Sequence, residues 1–379
     1  MFQIKTLIFP LLLSLFTLTA GAAPPVPAPP AVAASGHLLI DMHSGRVLAE
    51  NNADARLEPA SLTKIMTAYV AFRELRHGKL KLDDQVLISE KAWKEPGSRM
   101  FIEVGKRVSV ENLLKGMIIQ SGNDASVALA EHIAGSEETF AGLMNDHARR
   151  LGMLNSHFVN ATGLPHADHY TTPHDIALVT AATIREFPDL YKLYSDKEFV
   201  WNNIHQANRN LLLARDSSVD GVKTGHTESA GYCLVASAER EGMRLISVVM
   251  GTTSENARAK ETLSLLNYGF RFYETHRLYG AGETLARTRV WKGDQEQLAL
   301  GLADDLYVTI PRRQYDQLQA RTQINSLIEA PVAKGANVGS VLVELDGQPV
   351  TEVPLIALHE IAEGGIFRTA IDTVLMLFE

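Results

Sequence analysis

The chain has a single cysteine, Cys233, in 379 residues. No internal disulfide can form, and its apolar setting in GYCLVAS makes it a buried, inert thiol. Any Lys/Arg-rich run is missing too. Acidic residues outnumber basic ones, 44 to 36, for a formal net charge of −8, which leaves little to neutralise a phosphate backbone and argues against a nucleic-acid partner. Apolar runs long enough to cross a bilayer are also lacking. The stretch TLIFPLLLSLFTL, residues 6–18, falls short of the roughly 20 residues a spanning helix needs. Set between Lys5 and the small residues AGAA (20–23), it reads as an export signal over residues 1–23, cleaved after Ala22 or Ala23. No cysteine stands at that junction, so nothing suggests a lipoprotein. The mature chain is expected to be exported.

Hydrophobic residues make up 46% of the sequence, enough for a large core, and the length suits two domains better than one. PPVPAPPAVAAS (24–35) reads as a linker or mobile arm. GHLLIDMHSGRVLAE (36–50) has two apolar runs about a His-Ser-Gly turn and predicts a hairpin. A helix follows from Ser61 to about His77, burying Ile65, Met66, Tyr69 and Phe72. Residues 109–135 predict two helices separated at Gln120-Ser121-Gly122-Asn123, where the glycine breaks the period. Further helices are expected over 136–151, 173–185 and 257–274, and a second hairpin over 231–252. Helices lying between an early and a late hairpin imply a mixed α/β domain, residues 36–275, whose sheet joins both of its chain ends.

From about His276 the pattern becomes strand-like, and Asp346-Gly347 is a strong hairpin-turn signal. A small all-β domain is expected over 276–363. The last segment, GGIFRTAIDTVLMLFE (364–379), divides at helical spacing. Ile366, Phe367, Ala370, Ile371, Val374, Leu375, Leu377 and Phe378 share one half, while Arg368, Thr369, Asp372, Thr373 and Glu379 share the other. Such a helix reaches only about 21 Å, less than the roughly 30 Å hydrocarbon core, so it can lie in a membrane interface but not span it. The alternative is a terminal helix packed on the β domain.

Three patterns carry chemistry. In EPASLTKIMTAYV (58–70), Ser61 and Lys64 stand one helical turn apart. A capping serine beside a solvated lysine is the bland account. The chemical one makes Ser61 a nucleophile and Lys64 its base. An ordinary lysine, pKa near 10.4, would be neutral at pH 7 only at a cost of about 4.6 kcal/mol, so the site must depress it. Burial and a second cation, Lys223, act in that direction. The second pattern is Ser121-Gly-Asn123, which by composition alone is an ordinary turn. The third is DGVKTGHT (220–227), just before a strand. In this order the three match the signature of serine acyl-transferases that act on penicillins and D-Ala-D-Ala peptides.

LEPASLTKIMTAYV, IIQSGNDASVALAEHIAG, TGLPHADHYTTPHDIA and VDGVKTGHTESAGYCLVASAEREGMRLISVVMG together resemble the low-molecular-mass penicillin-binding proteins, the D-alanyl-D-alanine carboxypeptidases of peptidase family S11. The likeness runs over the whole mature chain. It implies a β-lactamase/transpeptidase-like catalytic domain and a β-rich C-terminal domain. It further implies removal of the terminal D-Ala from peptidoglycan pentapeptides in the bacterial envelope, acylation by β-lactams, and no metal or other cofactor. The nucleophile then falls on Ser61. Lys64 is a candidate base, although which base finally takes the proton is open. Ser121 would relay a proton to the leaving nitrogen and Asn123 would hold the substrate amide. Lys223, Thr224 and Gly225 would lie on the edge strand along which the substrate pairs, with Lys223 and Thr224 meeting its carboxylate. The oxyanion hole would use the N–H groups of Ser61 and His226.

Arg258, in the first turn of a helix, opposes the helix dipole. The resemblance places it near the substrate carboxylate, against the alternative of a solvated surface charge. Asp175, in Thr172-Pro-His-Asp175, fits a capping box and reads as structural. His166, Asp168, His169 and His174 suggest part of a metallo-hydrolase motif, but the first histidine of that motif would fall on Leu164. The terminal helix, by the same resemblance, anchors the protein to the periplasmic face of the cell membrane. A serine β-lactamase and a non-catalytic module that binds β-lactams or cell wall are the other functions these motifs admit.

Overall fold

The computed structural model describes residues 26–376. The expected export signal lies outside them. A five-stranded antiparallel sheet runs in the order Val47–Asn51, Gly36–Asp41, Met243–Thr252, Gly231–Arg240, Val219–Thr227. Both expected hairpins are in it, and the early one sits beside the late one, so the sheet joins the two ends of the domain. Side chains along each strand alternate between two cores, as a period of two demands. Leu38 and Ile40 face a core shared with the helices Thr63–Arg76, Asn123–Ala134 and Pro173–Glu186. Leu39 faces the other, shared with helix Glu255–Phe272.

At the starts of four of the helices Ser109, Ser136, Thr172 and Ser254 each accept a backbone N–H from the third residue on, and the last of these helices begins at Glu255, two residues ahead of the expected start. Ser61 plays no such part. It sits in a 3-10 turn, Ala60–Leu62, ahead of helix Thr63–Arg76, and its hydroxyl caps nothing. The break between the helices Val110–Ile118 and Asn123–Ala134 also differs in detail from expectation. Ser121, not Gly122, takes the left-handed backbone, at φ 68°. Gly122 is needed for space instead, because a Cβ there would stand 2.8 Å from Asp124 Oδ1 and 3.1 Å from the Met100 nitrogen.

The Pro-rich segment is docked rather than mobile over its described part. Val26, Val32 and Ala34 pack on the second core, and the Tyr268 hydroxyl donates to the Pro27 carbonyl at 3.0 Å. Beyond Tyr273, strands build a separate core. The sheet order is Ala286–Arg289, Gln297–Gly301, Gln348–Ala357, Asn337–Leu345, Leu318–Ile324, with Tyr273–Tyr279 paired to Leu306–Pro311. Asp346 and Gly347, at φ 51° and 75°, close the hairpin in which Leu345 faces Gln348, the two-residue turn the sequence signals. Buried Asp41 joins the two parts, accepting from Ser44 on the first hairpin and from Thr275 at 2.8 Å each. The terminal helix, Ile366–Leu375, rests on the β sheet through its polar side. Asp372 is buried, accepting from the Lys292 backbone at 2.7 Å and from Arg289 at 3.2 Å.

Candidate active site

Ser61 is placed by close packing of backbone on backbone. Ala60, immediately before it, has φ 46°, a conformation held from outside. Gly163 presses on it so tightly that a Cβ would come 1.8 Å from the Ala60 carbonyl oxygen. On the other side Gly225 lets the edge strand approach, since a Cβ there would meet the Pro59 oxygen at 3.1 Å and the Ala60 Cβ at 3.2 Å. The turn carrying Ser61 is thus gripped between two glycines, one from a loop and one from the KTG strand.

Lys64 is fully buried, and its Nζ has three oxygen partners: Ser61 Oγ at 3.0 Å, Asn123 Oδ1 at 2.6 Å and the Thr162 carbonyl at 2.6 Å. Burial pushes its pKa down to about 7, helped by the Arg209 guanidinium and opposed by Asp124 and Glu95. Arg209 is thus a second cation acting on Lys64, and the expected repulsion with Lys223 is present as well, since the two buried lysines bear on one another. Lys223 is itself buried and pushed well below the usual lysine value by desolvation, then by Lys64, Arg209 and Arg258. Its Nζ donates to the carbonyl of Thr224 at 3.3 Å.

Counting hydrogens shows what a neutral Lys64 would do. A neutral amine has two N–H groups and one lone pair. Asn123 Oδ1 and the Thr162 carbonyl can only accept, so they take the two N–H groups. The lone pair is left for Ser61, the single partner of the three that has a proton to give.

The remaining expected residues surround a cleft of about 300 Å³ lined by Ser61, Ser121, Asn123, Thr224, Gly225, His226 and Arg258. Ser121 Oγ is buried, with no hydrogen-bond partner among the described residues. Asn123 also lines the cleft; its Oδ1 accepts from Lys64 and one N–H of Nδ2 donates to the Pro96 carbonyl, each at 2.6 Å, which leaves the second N–H of Nδ2. Arg258 is no solvated charge. It is 3% exposed, donates to the Gly225 carbonyl at 3.1 Å, lies 3.5 Å from Glu255 and has its guanidinium 5.6 Å from the ring centre of Tyr232. His226 is exposed and stacks on the same Tyr232 ring, centroids 4.0 Å apart.

The comparisons with known proteins agree with this geometry. The sequence model of the D-alanyl-D-alanine carboxypeptidases, peptidase S11, matches residues 23–254. The chain belongs to that carboxypeptidase family. The model of the penicillin-binding protein 5 C-terminal domain matches residues 273–363. The chain is 44% identical over 361 residues to D-alanyl-D-alanine carboxypeptidase DacA of Escherichia coli K12, covering 93% of this chain and 90% of that protein. It is 45% identical to DacC of the same organism, covering 97% and 94%. Penicillin-binding protein 5 from Haemophilus influenzae superposes with a TM-score of 0.86 at 41% identity, covering 89% of this chain and 99% of that one.

Several residues of this S11 carboxypeptidase site escape a reading of the sequence. Thr162 acts through its carbonyl, so its residue type carries no signal. Asn160 shapes the loop behind it, its Oδ1 accepting from the nitrogens of Thr162 and Gly163 at 3.2 and 2.7 Å. Arg209, which lines the cleft and donates to Ser98 Oγ at 2.8 Å, follows a stretch with no motif. The histidines that suggested a metal are used elsewhere. His169 is buried and accepts at Nδ1 from the Val159 nitrogen, so Nε2 carries the proton toward Thr63 Oγ1 at 2.9 Å. Burial pushes its pKa down to about 4. His174 pairs with Asp54. Among the described residues, no group of three or more His, Cys, Asp or Glu side chains is placed to hold a metal. Asp175 receives the Thr172 cap and accepts from Asn155 and Ser156, a structural use.

Proposed function

We propose that this chain removes the terminal D-Ala from peptidoglycan pentapeptides, with Ser61 as nucleophile and neutral Lys64 as its base. Ser61 Oγ attacks the penultimate D-Ala carbonyl carbon and its proton passes to Lys64 Nζ. The C–N bond of the resulting tetrahedral species breaks. The leaving D-Ala nitrogen receives that proton through Ser121, a cleft-lining residue whose buried hydroxyl has no hydrogen-bond partner among the described residues. Water then attacks the Ser61 ester and releases the shortened peptide. The carrying observation is that, of the three oxygen partners of Lys64 Nζ, two are pure acceptors and only the Ser61 hydroxyl has a proton to give to its lone pair.

The rest of the site supports the same reading. The strand Val219–Thr227 is the edge of its sheet, so backbone groups at Lys223–His226 not paired to Gly231–Arg240 are available to an extended peptide. Lys223, Thr224 and Arg258 place positive charge and a hydroxyl at the end where a carboxylate would lie, and the N–H groups of Ser61 and His226 are the oxyanion donors. Asn123 holds Lys64 through Oδ1, and the second N–H of its Nδ2 serves the substrate amide. A β-lactam presents its strained amide to the same nucleophile. Penicillin-binding protein D2 of Listeria monocytogenes, 30% identical with a TM-score of 0.59, is known in an ampicillin-bound form. A serine β-lactamase also needs a carboxylate aimed at the deacylating water, whereas the acid lining this cleft, Glu255, is turned to Arg258.

The protein acts outside the cytoplasm, held to the membrane surface by its terminal helix. With Asp372 seated on the β domain, the opposite face is left to solvent: Ile366 and Phe367 are 87% and 89% exposed, and Ile371, Val374 and Leu375 are exposed beside them. Among the described residues no helix is long and apolar enough to cross a membrane, which suits an interfacial position. A helix simply packed on the β domain is the alternative, and the Asp372 contacts are common to both readings.

Steady release of D-Ala from a diacyl-Lys-D-Ala-D-Ala peptide, measured beside penicillin hydrolysis, tests the activity. D-Ala release with slow penicillin turnover is expected, and Ser61→Ala should abolish both release and the covalent penicillin adduct. An adduct that survives Ser61→Ala refutes the assignment.

A further inference from the structure

The acid next to Asn123 has no place in the reaction, yet it is fully buried and heavily bonded. Asp124 Oδ1 accepts from the Met100 nitrogen at 2.9 Å, and Oδ2 accepts from those of Phe101 and Ile102 at 2.9 and 3.3 Å. Three successive backbone N–H groups of one loop thus converge on one carboxylate. That concentration stabilises an otherwise unfavourable conformation, since Phe101 has φ 67° with its aromatic side chain half in solvent.

The same loop grips Asn123 from the other side. The Asn123 backbone nitrogen donates to the Ser98 carbonyl at 2.7 Å, and Asn123 Nδ2 donates to the Pro96 carbonyl at 2.6 Å. Gly97 allows this approach, for a Cβ there would come 2.8 Å from Nδ2. With Nδ2 fixed, the amide cannot flip, and Oδ1 is kept toward Lys64 Nζ.

We propose that Asp124 is the positioning residue of the Ser61–Lys64 pair: it folds residues 96–102 around Asn123, and through that amide it holds the Lys64 amine on Ser61. The proposal rests on the reading of Ser61 and Lys64 given above. Asp124 also has an electrostatic effect. The charged groups that bear on Lys64 are Arg209, Asp124 and Glu95, and Lys223 is coupled to it; His169, nearby, is neutral. Asp124 favours the ammonium form against Arg209 and burial. Losing its charge therefore lowers the pH at which Lys64 deprotonates.

Asp124→Asn and Asp124→Glu separate geometry from charge in the full-length protein. In Asp124→Asn, amide exchange at Met100–Ile102 should quicken, and the Lys64 titration midpoint, read by NMR of labelled lysine, should move to lower pH. Single-turnover acylation by a fluorescent penicillin, per folded molecule and at its high-pH plateau, should fall on the order of tenfold to a hundredfold, the effect of a misplaced base. In Asp124→Glu the charge remains, so the midpoint should stay while the plateau falls. If both variants melt earlier but keep the wild-type plateau and midpoint, Asp124 is only a stabilising residue and the proposal fails. Should Asp124→Asn not fold, a wild-type plateau in Asp124→Glu overturns it equally. A wild-type enzyme that penicillin does not acylate refutes the functional reading alone, because exchange and the Lys64 midpoint still decide the role of Asp124.

Discussion

Lys64→Met removes the amine while nearly keeping side-chain length, so it isolates the base. The substituted residue lies wholly inside the protein, and ground-state binding of a peptide or β-lactam should change little. Losing a general base costs about a hundredfold to ten-thousandfold, or roughly 3 to 5 kcal/mol of barrier, and should appear in the acylation rate constant rather than in the half-saturating concentration. The pH dependence sharpens the test. With the Lys64 midpoint at about 7, raising the pH through that value deprotonates the amine. Below it the neutral fraction falls tenfold per pH unit, so wild-type acylation should rise with unit slope to about pH 7 and then flatten. The variant should be slow and flat over the same range. Stopped-flow mixing with a fluorescent penicillin gives the rates, and circular dichroism establishes that the fold persists although Asn123 Oδ1 and the Thr162 carbonyl each lose a donor. Wild-type acylation by Lys64→Met, or a wild-type profile without an acid limb near neutrality, would show that another group takes the Ser61 proton.

Gly163→Ala should abolish acylation and cost more than about 2 kcal/mol in a denaturant titration, since the added carbon is forced onto the Ala60 carbonyl and the backbone at φ 83° disfavours any side chain; a stable, active variant would contradict the close approach. The double substitution Phe367→Glu and Ile371→Glu should release the full-length mature protein from membranes, as read by sedimentation with vesicles, without lowering peptide hydrolysis or the melting temperature, because both side chains are exposed. Continued sedimentation would show that another surface binds. Exhaustive EDTA treatment should leave D-Ala release unchanged; loss on treatment and recovery with zinc would return attention to the histidines around His169.

Local spacing was enough to read most of the elements. Residues 36–50 and 231–252 hold short apolar runs that flank tight turns, and Asp346-Gly347 tolerates the left-handed backbone its hairpin requires, so these strands are legible from neighbours a few positions apart. The Ser-Lys, Ser-Gly-Asn and Lys-Thr-Gly groups were legible as chemistry because their residue types are unusual in those settings, and the resemblance tied them together. Burial partners were not legible. That Asn123 turns to Lys64, that Arg209 joins Lys223 in acting on Lys64, and that Arg258 is enclosed all depend on residues brought together from distant parts of the chain.

Two further features were decided in space. Ser61 looks like a helix cap in sequence, but Gly163 and Gly225 press its turn into a 3-10 conformation that leaves the hydroxyl to Lys64. The two-faced pattern of residues 366–375 fits either a buried or an exposed apolar side. The choice falls to Asp372, because a carboxylate that finds Arg289 and a backbone N–H on the β domain keeps the polar face inward and turns Phe367 and Ile371 out. Sequence determines which atoms can donate, accept or avoid water; only the tertiary structure assigns their partners, since each partner comes from a distant part of the chain.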